Sequence, residues 1–453
     1  MSPLAVVRDG LVRNPVAPRA SLPGVPRIRG AAFDPAAFEQ EVVSTSFLGR
    51  RLMILSRPDA VQHLLVTNAA NYVRPNAATR VLGPPIGGGL FLAEGAEWRR
   101  QRRMLAPAFA PRASPSFARH VASLGADLVA DLAAQAPADV ALFDAVQRLA
   151  LAVAAWSLFS IDMAPYDAEM RALSSDYAAR LAQLGMLDFL LPVGIPSPRD
   201  LRRRRFRRRW MALIHRIVAD RRRHTPVAPA AGADLFDTLT ETEVARGLFD
   251  QQVATLLITG SETTSAALFW SLLLLAGSPE WQDRIAAEAA TLDLSPDGAA
   301  ASLPRLHAAR AVVQEAMRLY PPAFSIVRQA LAADRAGGTD IPAGAIVQAA
   351  PWVLHRHRLL WDRPDAFDPA RFLPDAPPPP RFTYLPFGVG PRACIAAPFA
   401  QLEAVLVVAL LVRAFVIAPT TDRAVTPVAQ ITLQPWDPPP LRITLRHPAT
   451  PWM

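Results

Sequence analysis

The chain has 453 residues, of which 51% are hydrophobic, with a single cysteine and a formal net charge of +9. This length and apolar content can form a large buried core in one large domain or two, and they exclude a chain that is disordered throughout. One cysteine excludes an intramolecular disulfide framework, and it cannot supply a multi-cysteine zinc site. All the basic residues are arginines, so each basic patch carries permanent charge.

The first thirty residues are rich in proline and arginine and predict an extended lead-in, which we place at residues 1–44, ahead of a single domain at 45–453. No apolar run here is long enough for a signal peptide or a membrane anchor, so we expect a soluble, cytoplasmic protein. Two later apolar stretches, 266–277 and 404–412, are shorter than the roughly 20 residues of a membrane span. We expect both to be buried core helices and expect no membrane span.

The remaining pattern predicts a mainly α fold with a few small β-sheets. In chain order it indicates a strand and a helix at 47–68, mostly helical segments from Trp98 to about Gln282, small strands at 325–350, a proline-rich loop at 371–382 and a pair of strands at 431–446. Pro58 and Asp59 are typical of a helix start.

An arginine run at 199–210 raises the question of nucleic-acid binding, because clustered arginines neutralise phosphates. The run continues at helical spacing, and no nucleic-acid motif accompanies it. We therefore expect a solvated helix face or a docking surface for an anionic partner, and no nucleic acid.

The single cysteine lies in the stretch FGVGPRACIAAPFA, where Phe387, Gly390, Arg392 and Cys394 fit the spacing F-x-x-G-x-R-x-C. A thiolate that binds iron needs its charge stabilised, and a glycine-bearing turn followed by a helix provides backbone N–H groups and a positive helix end. Arg392 could reach an anionic group beside the metal. The alternative is a buried, unreactive cysteine, as isolated cysteines usually are.

This stretch resembles the cysteine-ligand loop of the cytochrome P450 family, the heme-thiolate monooxygenases. The resemblance implies a large helical heme-binding domain, heme b as cofactor, Cys394 as the iron ligand, and Phe387, Gly390 and Arg392 as further heme-binding residues. It covers the chain from about residue 45 to the end. The family usually has glycine two residues after the cysteine, where this chain has Ala396, and we expect the added methyl group to be tolerated.

A polar island, Thr259 to Thr264, interrupts a long apolar helical stretch. Buried polar groups without partners are costly, so the island indicates a function or a satisfied network. Gly260 and Thr263 share one helix face. The island resembles the family's oxygen-activating motif, which implies that Gly260 borders the heme, that Thr263 hydrogen-bonds dioxygen at the iron and that Glu262 helps to relay protons. The alternative is hydroxyl groups that only bond back to the helix.

Other motifs match the family in the family's order. Trp98 and Arg102, four residues apart on one helix face, resemble its contacts to the heme propionates, and Arg328 matches a further one. The neighbouring Arg99, Arg100 and Arg103 form a solvated face or a docking site for an acidic electron-transfer partner.

Glu315, Arg318 and Arg371 resemble the family's structural network behind the heme, which would serve fold specificity and heme retention if it is buried. His355 and His357 have no third ligand candidate at a sensible spacing, so we expect structural roles for them rather than a metal site.

The resemblance places the substrate pocket at Phe91, Ile258, Thr259, Ala323, Phe324 and Ile431. Most are apolar, which implies a lipophilic fatty-acid-, terpenoid- or steroid-like substrate. Thr259 stands where the family commonly has alanine, which leaves substrate orientation open. Several segments look most like bacterial members. No flavin or ferredoxin domain is present, so a ferredoxin- or flavodoxin-type donor with its reductase would supply electrons, and dioxygen would be the co-substrate. The alternatives are a peroxide-driven heme-thiolate peroxygenase and a non-catalytic heme-binding sensor.

Overall fold

The fold comes from a computed structural model, which describes residues 28, 31, 33–47, 49–183, 185, 187, 188, 191, 195–223, 235–241 and 246–446. Most of the predicted lead-in lies outside these residues. The boundary predicted at residue 45 falls inside the first strand, Val42–Phe47. Phe33 and Phe38 are already part of the hydrophobic core. The ordered fold therefore includes at least ten residues of the segment predicted as lead-in.

Helices dominate the described part of the chain, as the sequence predicts. They are α1 (Pro58–Gln62), α2 (Asn76–Ile86), α3 (Gly95–Leu105), α4 (Ser114–Ala133), α5 (Leu142–Phe159), α6 (Asp167–Arg180), α7 (Pro198–Arg223), α8 (Leu235–Glu241), α9 (Arg246–Ala276), α10 (Pro279–Ala290), α11 (Ala299–Ser302), α12 (His307–Leu319), α13 (Pro351–Leu354) and α14 (Ala397–Ala414). Pro58 stands at the first position of α1, where its fixed φ and missing N–H are best tolerated.

Short strands form small sheets at the edges of the helical body. They are β1 (Val42–Phe47), β2 (Arg50–Leu55), β3 (Tyr72–Val73), β4 (Ala138–Val140), β5 (Ile326–Ala330), β6 (Asp334–Ala336), β7 (Thr339–Ile341), β8 (Ile346–Ala349), β9 (Phe415–Pro419), β10 (Thr426–Ala429), β11 (Leu433–Trp436) and β12 (Leu441–Leu445). The largest sheet has the order β1-β2-β8-β5-β3, and β2 and β8 run parallel. The two predicted strands at 431–446 exist but pair with other partners: β11 with β10, and β12 with β4 and β9.

The 31-residue helix α9 is the centre of the core. It packs against α5, α12 and α14, and its apolar C-terminal part includes the fully buried Phe269 and Trp270. A helix surrounded by other helices needs apolar residues on all sides, which is why this segment has no amphipathic pattern. The predicted core helices at 266–277 and 404–412 are therefore parts of α9 and α14.

Two helices, α5 and α14, are long and apolar enough to cross a membrane. Of their residues, 61% and 67% are buried inside the fold. Core helices of a globular protein have the same length and composition, so these two helices are explained by packing.

The arginine run forms the first half of α7, and its members divide between interior and surface. Arg203 is buried and its Nη1 lies 2.5 Å from Oδ1 of the buried Asp188. Arg207 donates to the carbonyl oxygen of Gly83 at the end of α2. The exposed members are Arg199, Arg202, Arg204, Arg205, Arg208 and Arg209. Some arginines of the run therefore bind α7 to neighbouring segments, and the others form a solvated face.

Glu315 and Arg318 form a fully buried ion pair on α12, in which Nε of Arg318 donates to Oε2 of Glu315 over 2.7 Å. Arg318 also donates to the carbonyl oxygens of His355 and Pro364. Nε of Arg371 lies 3.7 Å from Oε1 of Glu315. Burial raises the pKa of Glu315, and the charge of Arg318 opposes this shift. The network fastens α12 to the loop between residues 355 and 371.

We predict that Glu315→Leu destabilises the protein by about 3–5 kcal/mol, because it leaves the guanidinium of Arg318 buried without its carboxylate. The shift in the urea unfolding midpoint measures the effect. Asp297→Leu is the matched control, since it removes an exposed ion pair with Arg119 and should cost less than about 1 kcal/mol. Equal shifts for the two variants would contradict a structural role for the buried network.

Candidate functional site

A cavity of about 2300 Å³ lies between α9 and the loop that carries the single cysteine. It is larger than the 300–1,000 Å³ of a common small-molecule pocket, so it has room for a cofactor and a substrate together. The predicted residues that line it are Phe91, Trp98, Arg102, Ile258, Thr259, Gly260, Glu262, Thr263, Ala323, Phe324, Arg328, Phe387, Arg392, Cys394 and Ile431. Gly390 is not among the lining residues, although its neighbours Val389 and Pro391 are.

The cysteine loop is shaped by glycines that adopt positive φ angles. Gly388 has φ +67° and Gly390 has φ +75°, values that residues with a Cβ rarely adopt. A Cβ on Gly390 would lie 2.1 Å from the carbonyl oxygen of Leu65. The turn closes where the backbone N–H of Cys394 donates to the carbonyl oxygen of Phe387 over 2.8 Å. Gly390 therefore shapes the loop and sets its packing against Leu65, which itself lines the cavity.

The Cys394 side chain is open to the cavity, and protein encloses the sulfur on its other sides. Burial raises the pKa of the thiol, while a hydrogen bond from the Ala396 backbone N–H and the positive charge of Arg102 lower it. A cationic ligand such as an iron ion would supply the remaining stabilisation of the thiolate. The sulfur is therefore a candidate metal ligand, because the contacts from Ala396 and Arg102 offset only part of the effect of burial on its pKa.

Ala396 tolerates its methyl group because its backbone is in an ordinary conformation. Its φ is −97° and its ψ is 15°, a combination open to residues with a Cβ. The residue directly precedes α14 and still directs its N–H toward the sulfur. The geometry thus agrees with the expectation that alanine is accepted at this position.

Four arginines lie at one edge of the cavity: Arg74, Arg102, Arg328 and Arg392. Nη1 of Arg74 lies 2.9 Å from Oε1 of Glu94, and Arg392 forms a short ion pair with the same carboxylate. Burial, followed by the charge of Arg74, lowers the pKa of both Arg328 and Arg392 to about 10. The cluster carries excess positive charge, because four guanidinium groups stand against the one carboxylate of Glu94.

The arginine cluster is tied to the cysteine loop and to α3. Nη1 of Arg102 donates to the carbonyl oxygen of Ala393 over 2.8 Å. The guanidinium of Arg392 lies over the Trp98 ring, 4.4 Å from its centroid, and donates to the carbonyl oxygen of Ala93. These contacts fix the guanidinium groups beside the sulfur.

The residues of this end of the cavity fit heme b. Cys394 offers one soft anionic ligand for an iron ion. The excess positive charge of the arginine cluster suits the two propionate groups of the porphyrin, because guanidinium groups bind carboxylates with charge-assisted hydrogen bonds. The apolar lining suits the porphyrin ring.

Opposite the cysteine loop, the hydroxyl groups of α9 form a ladder along the helix. Thr255, Thr259 and Thr263 each donate to the carbonyl oxygen four residues earlier, at 2.6–2.7 Å. These bonds satisfy the hydroxyls in a buried helix, as expected from the alternative in which the hydroxyl groups only bond back to the helix. Thr259 and Thr263 nevertheless line the cavity, where a ligand can compete for their hydroxyls.

Glu262 is enclosed by protein and lines the cavity. Burial raises its pKa to about 7. The carboxyl group can therefore gain and release a proton near neutral pH, which is what a relay requires. It accepts a hydrogen bond from Nε2 of Gln434 at 3.1 Å.

Gly260 lines the cavity next to Thr263. A Cβ on this glycine would lie 3.4 Å from the Ala154 Cβ of α5, which is an ordinary contact. The fold therefore does not require glycine here for packing between α9 and α5.

On the substrate side, the glycines at 87–89 let the loop with Phe91 approach α9 closely. The backbone N–H of Gly88 donates to Oε1 of Gln251, and a Cβ on Gly89 would lie 2.1 Å from Oγ1 of Thr255. Phe91 is 41% exposed, and the Arg74 guanidinium lies 4.8 Å from its ring centroid. Phe91 therefore stands at the border between the arginine cluster and the apolar part of the cavity.

Both histidines of the predicted structural pair are buried within the fold. Nε2 of His355 accepts a hydrogen bond from the backbone N–H of Leu385, and burial lowers the pKa of His355 to about 3. Nε2 of His357 lies 3.1 Å from the carbonyl oxygen of Gln40. Among the described residues no group of three or more His, Cys, Asp or Glu side chains could hold a metal ion.

Sequence reasoning missed Arg74, Glu94 and Gln434. Arg74 follows the two-residue strand β3, and Glu94 precedes α3, so neither belongs to a periodic pattern or a motif that the sequence displays. Gln434 is a polar residue in an otherwise apolar strand, and this contrast was the one feature of the sequence that could have indicated a buried polar contact. Its partner, 172 residues earlier in the chain, could not be known without the fold.

Comparison with known proteins supports the geometry. A family model described as "Cytochrome P450" matches residues 35–441. The chain is 31% identical over 401 residues to "Cyclooctatin synthase" of Streptomyces melanosporofaciens, with 85% of each chain covered. It is 33% identical to "Cyclooctat-9-en-7-ol 5-monooxygenase" of the same organism, with 72% of this chain and 71% of the relative covered. The crystal structure of the cytochrome P450DA heme domain is similar with a TM-score of 0.76, at 25% identity and 90% coverage of both chains.

We predict that Gly390→Ala lowers stability by about 2–4 kcal/mol and reduces cofactor content, because strain at positive φ adds to a collision with the Leu65 carbonyl oxygen. Gly338→Ala is the matched control: Gly338 also has a positive φ, +79°, but nothing lies within 4 Å of its Cβ position. Unfolding midpoints and bound porphyrin per chain measure both effects. Similar losses in the two variants would mean that the contact with Leu65 is unimportant.

Proposed function

Since the chain belongs to the cytochrome P450 family, we propose that it inserts one oxygen atom of dioxygen into a fatty-acid-, terpenoid- or steroid-like molecule, with electrons from a separate ferredoxin- or flavodoxin-type donor and its reductase. The family and its named monooxygenases make the chain a cytochrome P450 monooxygenase with heme b as its cofactor. The observation that carries the substrate proposal is the mostly apolar lining of the cavity beyond the cysteine loop.

Cys394 would bind the heme iron, and Arg74, Arg102, Arg328 and Arg392 would hold the propionates. When bound, heme supplies the binding and reductive activation of dioxygen. The guanidinium groups would hold the carboxylates of the cofactor, and the sulfur would hold its metal. The glycine turn and the Ala396 N–H keep the sulfur at the cavity wall.

Glu262 and Thr263 would supply the protons that dioxygen cleavage consumes. Their side chains line the cavity on the side opposite Cys394. The pKa of Glu262, about 7, is suited to proton exchange at neutral pH. The Thr263 hydroxyl, which now donates to the Thr259 carbonyl oxygen, can instead donate to a group in the cavity by rotation about χ1. This pair supports monooxygenation with dioxygen over a peroxygenase or a sensor.

The substrate would lie between α9 and the apolar residues of the surrounding loops. Phe91, Ile258, Ala323, Phe324 and Ile431 line this part of the cavity. Burying a lipophilic molecule here gains roughly 25 cal/mol per Å² of apolar surface. The relative named "Cyclooctat-9-en-7-ol 5-monooxygenase" acts, by its name, on a small alcohol, which agrees with a cavity of this size.

The electron donor would approach the face of α3 next to the cysteine loop. Arg103 is exposed there, and Arg100 is exposed and paired with Glu97 over 2.8 Å. A positive face of this kind favours an acidic protein surface through long-range attraction.

We predict that a fatty-acid-, terpenoid- or steroid-like compound changes the heme absorption spectrum of the purified holoprotein by displacing water from the cavity. A panel of the three compound classes, titrated singly, identifies the ligand. Turnover of that ligand with NAD(P)H, ferredoxin and reductase under ¹⁸O₂ should give a product that carries one labelled oxygen. Turnover with hydrogen peroxide and none with the reductase system would overturn the proposal in favour of a peroxygenase.

We predict that Thr263→Ala lowers product per reducing equivalent by about 100-fold, the lower end of the effect of a proton-transfer group, while peroxide release rises. Ser271→Ala is the matched control on the same helix, because the Ser271 hydroxyl also bonds four residues back, to Ala267, but is buried away from the cavity. Product and peroxide yields are measured together. Unchanged coupling in Thr263→Ala would remove this hydroxyl from the relay.

A further inference from the structure

Gln434 of β11 lies against the middle of α9, at the only break in the apolar character of that short strand. Its side chain is buried, with 7% of its surface exposed. The neighbouring residues Ile431 and Thr432 line the cavity, whereas Gln434 itself is not among the lining residues. A buried amide at such a position needs hydrogen-bond partners, so its contacts indicate what it does.

The amide nitrogen of Gln434 faces Glu262. Nε2 lies 3.1 Å from Oε2 of the Glu262 carboxylate and 3.2 Å from the Glu262 carbonyl oxygen. It also lies 2.5 Å from Oγ1 of Thr432. An amide nitrogen carries two hydrogens, so these three acceptors compete for two donors. Glu262 and the cavity-lining Thr432 are thereby joined through one side chain.

The other end of the amide is unused. Oε1 of Gln434 is buried and has no hydrogen-bond partner in the described structure. A rotation of the amide about its terminal torsion exchanges the oxygen and the nitrogen. In the present orientation Gln434 donates to an ionised Glu262; in the rotated one its oxygen accepts from a protonated Glu262. The same side chain can therefore hold the carboxyl group in either protonation state.

Other charged groups do not take this role. Burial raises the pKa of Glu262, and no arginine or histidine among the described residues forms an ion pair with its carboxylate. Ser265 donates to the Glu262 carbonyl oxygen and does not reach the carboxylate. In the described part of the chain, Gln434 is the side chain that donates a hydrogen bond to that carboxylate.

We propose that Gln434 is a positioning residue for proton delivery: its amide holds the Glu262 carboxyl group at the cavity wall and, by rotating, accompanies it through protonation and deprotonation. The inference deepens the proposed monooxygenase function and rests on it, since it assigns Gln434 a part in the proton relay of the same site.

Gln434→Met tests the inference because methionine has a similar volume and offers no comparable hydrogen bond. Loss of the donor to the carboxylate disfavours its ionised form. We therefore expect the midpoint of the Glu262 titration to rise by about one pH unit. Infrared difference spectra of the holoprotein with ¹³C-labelled glutamate, referenced to Glu262→Gln, follow this carboxyl group directly. Product per reducing equivalent should fall by roughly 3- to 10-fold, with its pH profile displaced in the same direction.

Gln282→Met is the matched control. Gln282 is also a buried glutamine, and its Nε2 donates to the carbonyl oxygens of Leu275 and Ile417, remote from the cavity. We expect this variant to lose stability but to keep the wild-type Glu262 titration and coupling. Gln434→Glu is a second, nearly isosteric variant. When ionised it cannot donate a hydrogen bond and it repels the Glu262 carboxylate, so it should raise the midpoint of the Glu262 titration further.

An unchanged Glu262 titration in Gln434→Met and Gln434→Glu would overturn the inference. Equal changes in coupling for Gln434→Met and Gln282→Met would also overturn it, because the effect would then come from general loosening of the fold. If the wild-type protein forms no product with any reductase system, the proposed function fails. The infrared titration still decides whether Gln434 holds the carboxyl group.

Discussion

The enclosure of one thiol at the wall of a positively charged cavity is the constraint on which the rest of the structure depends. Protein around Cys394 raises the pKa of its thiol, and the remaining polar contacts only partly offset that effect. The same cavity carries four guanidinium groups against the carboxylate of Glu94. Heme would relieve both imbalances, because it carries a cationic metal that the sulfur can bind and two carboxylates that the arginines can bind.

The central helix combines two opposing requirements. Most of α9 must be apolar, since helices surround it on several sides. The segment from Thr255 to Thr263 must nevertheless offer polar groups to the cavity. The fold resolves the conflict by bonding each threonine hydroxyl back to its own helix and by placing Gln434 beside Glu262. The polar groups are thus satisfied at rest and remain accessible to a ligand.

Residues close together in sequence carried most of what could be predicted. The spacing of Phe387, Arg392 and Cys394 indicated the cysteine loop, and the polar island in an apolar stretch indicated the oxygen side of the cavity. The apolar content of α9 and α14 predicted buried core helices. In the structure Gly390 packs against the backbone of Leu65, and Phe33 and Phe38, ahead of residue 45, belong to the hydrophobic core. Both depend on long-range packing, which local patterns do not contain.

The sequence by itself determined the helical character, the single thiol, the all-arginine basic set and the local motifs, because these depend on composition and on spacing within a few turns of chain. Only the tertiary structure decided which carboxylate each arginine pairs with. Arg74 and Arg392 both pair with Glu94, while Arg203 forms a buried ion pair with Asp188. It also decided that Gln434 faces Glu262. Electrostatic and hydrogen-bonding partners are set by distances in space, and residues far apart in the chain acquire such distances only through packing.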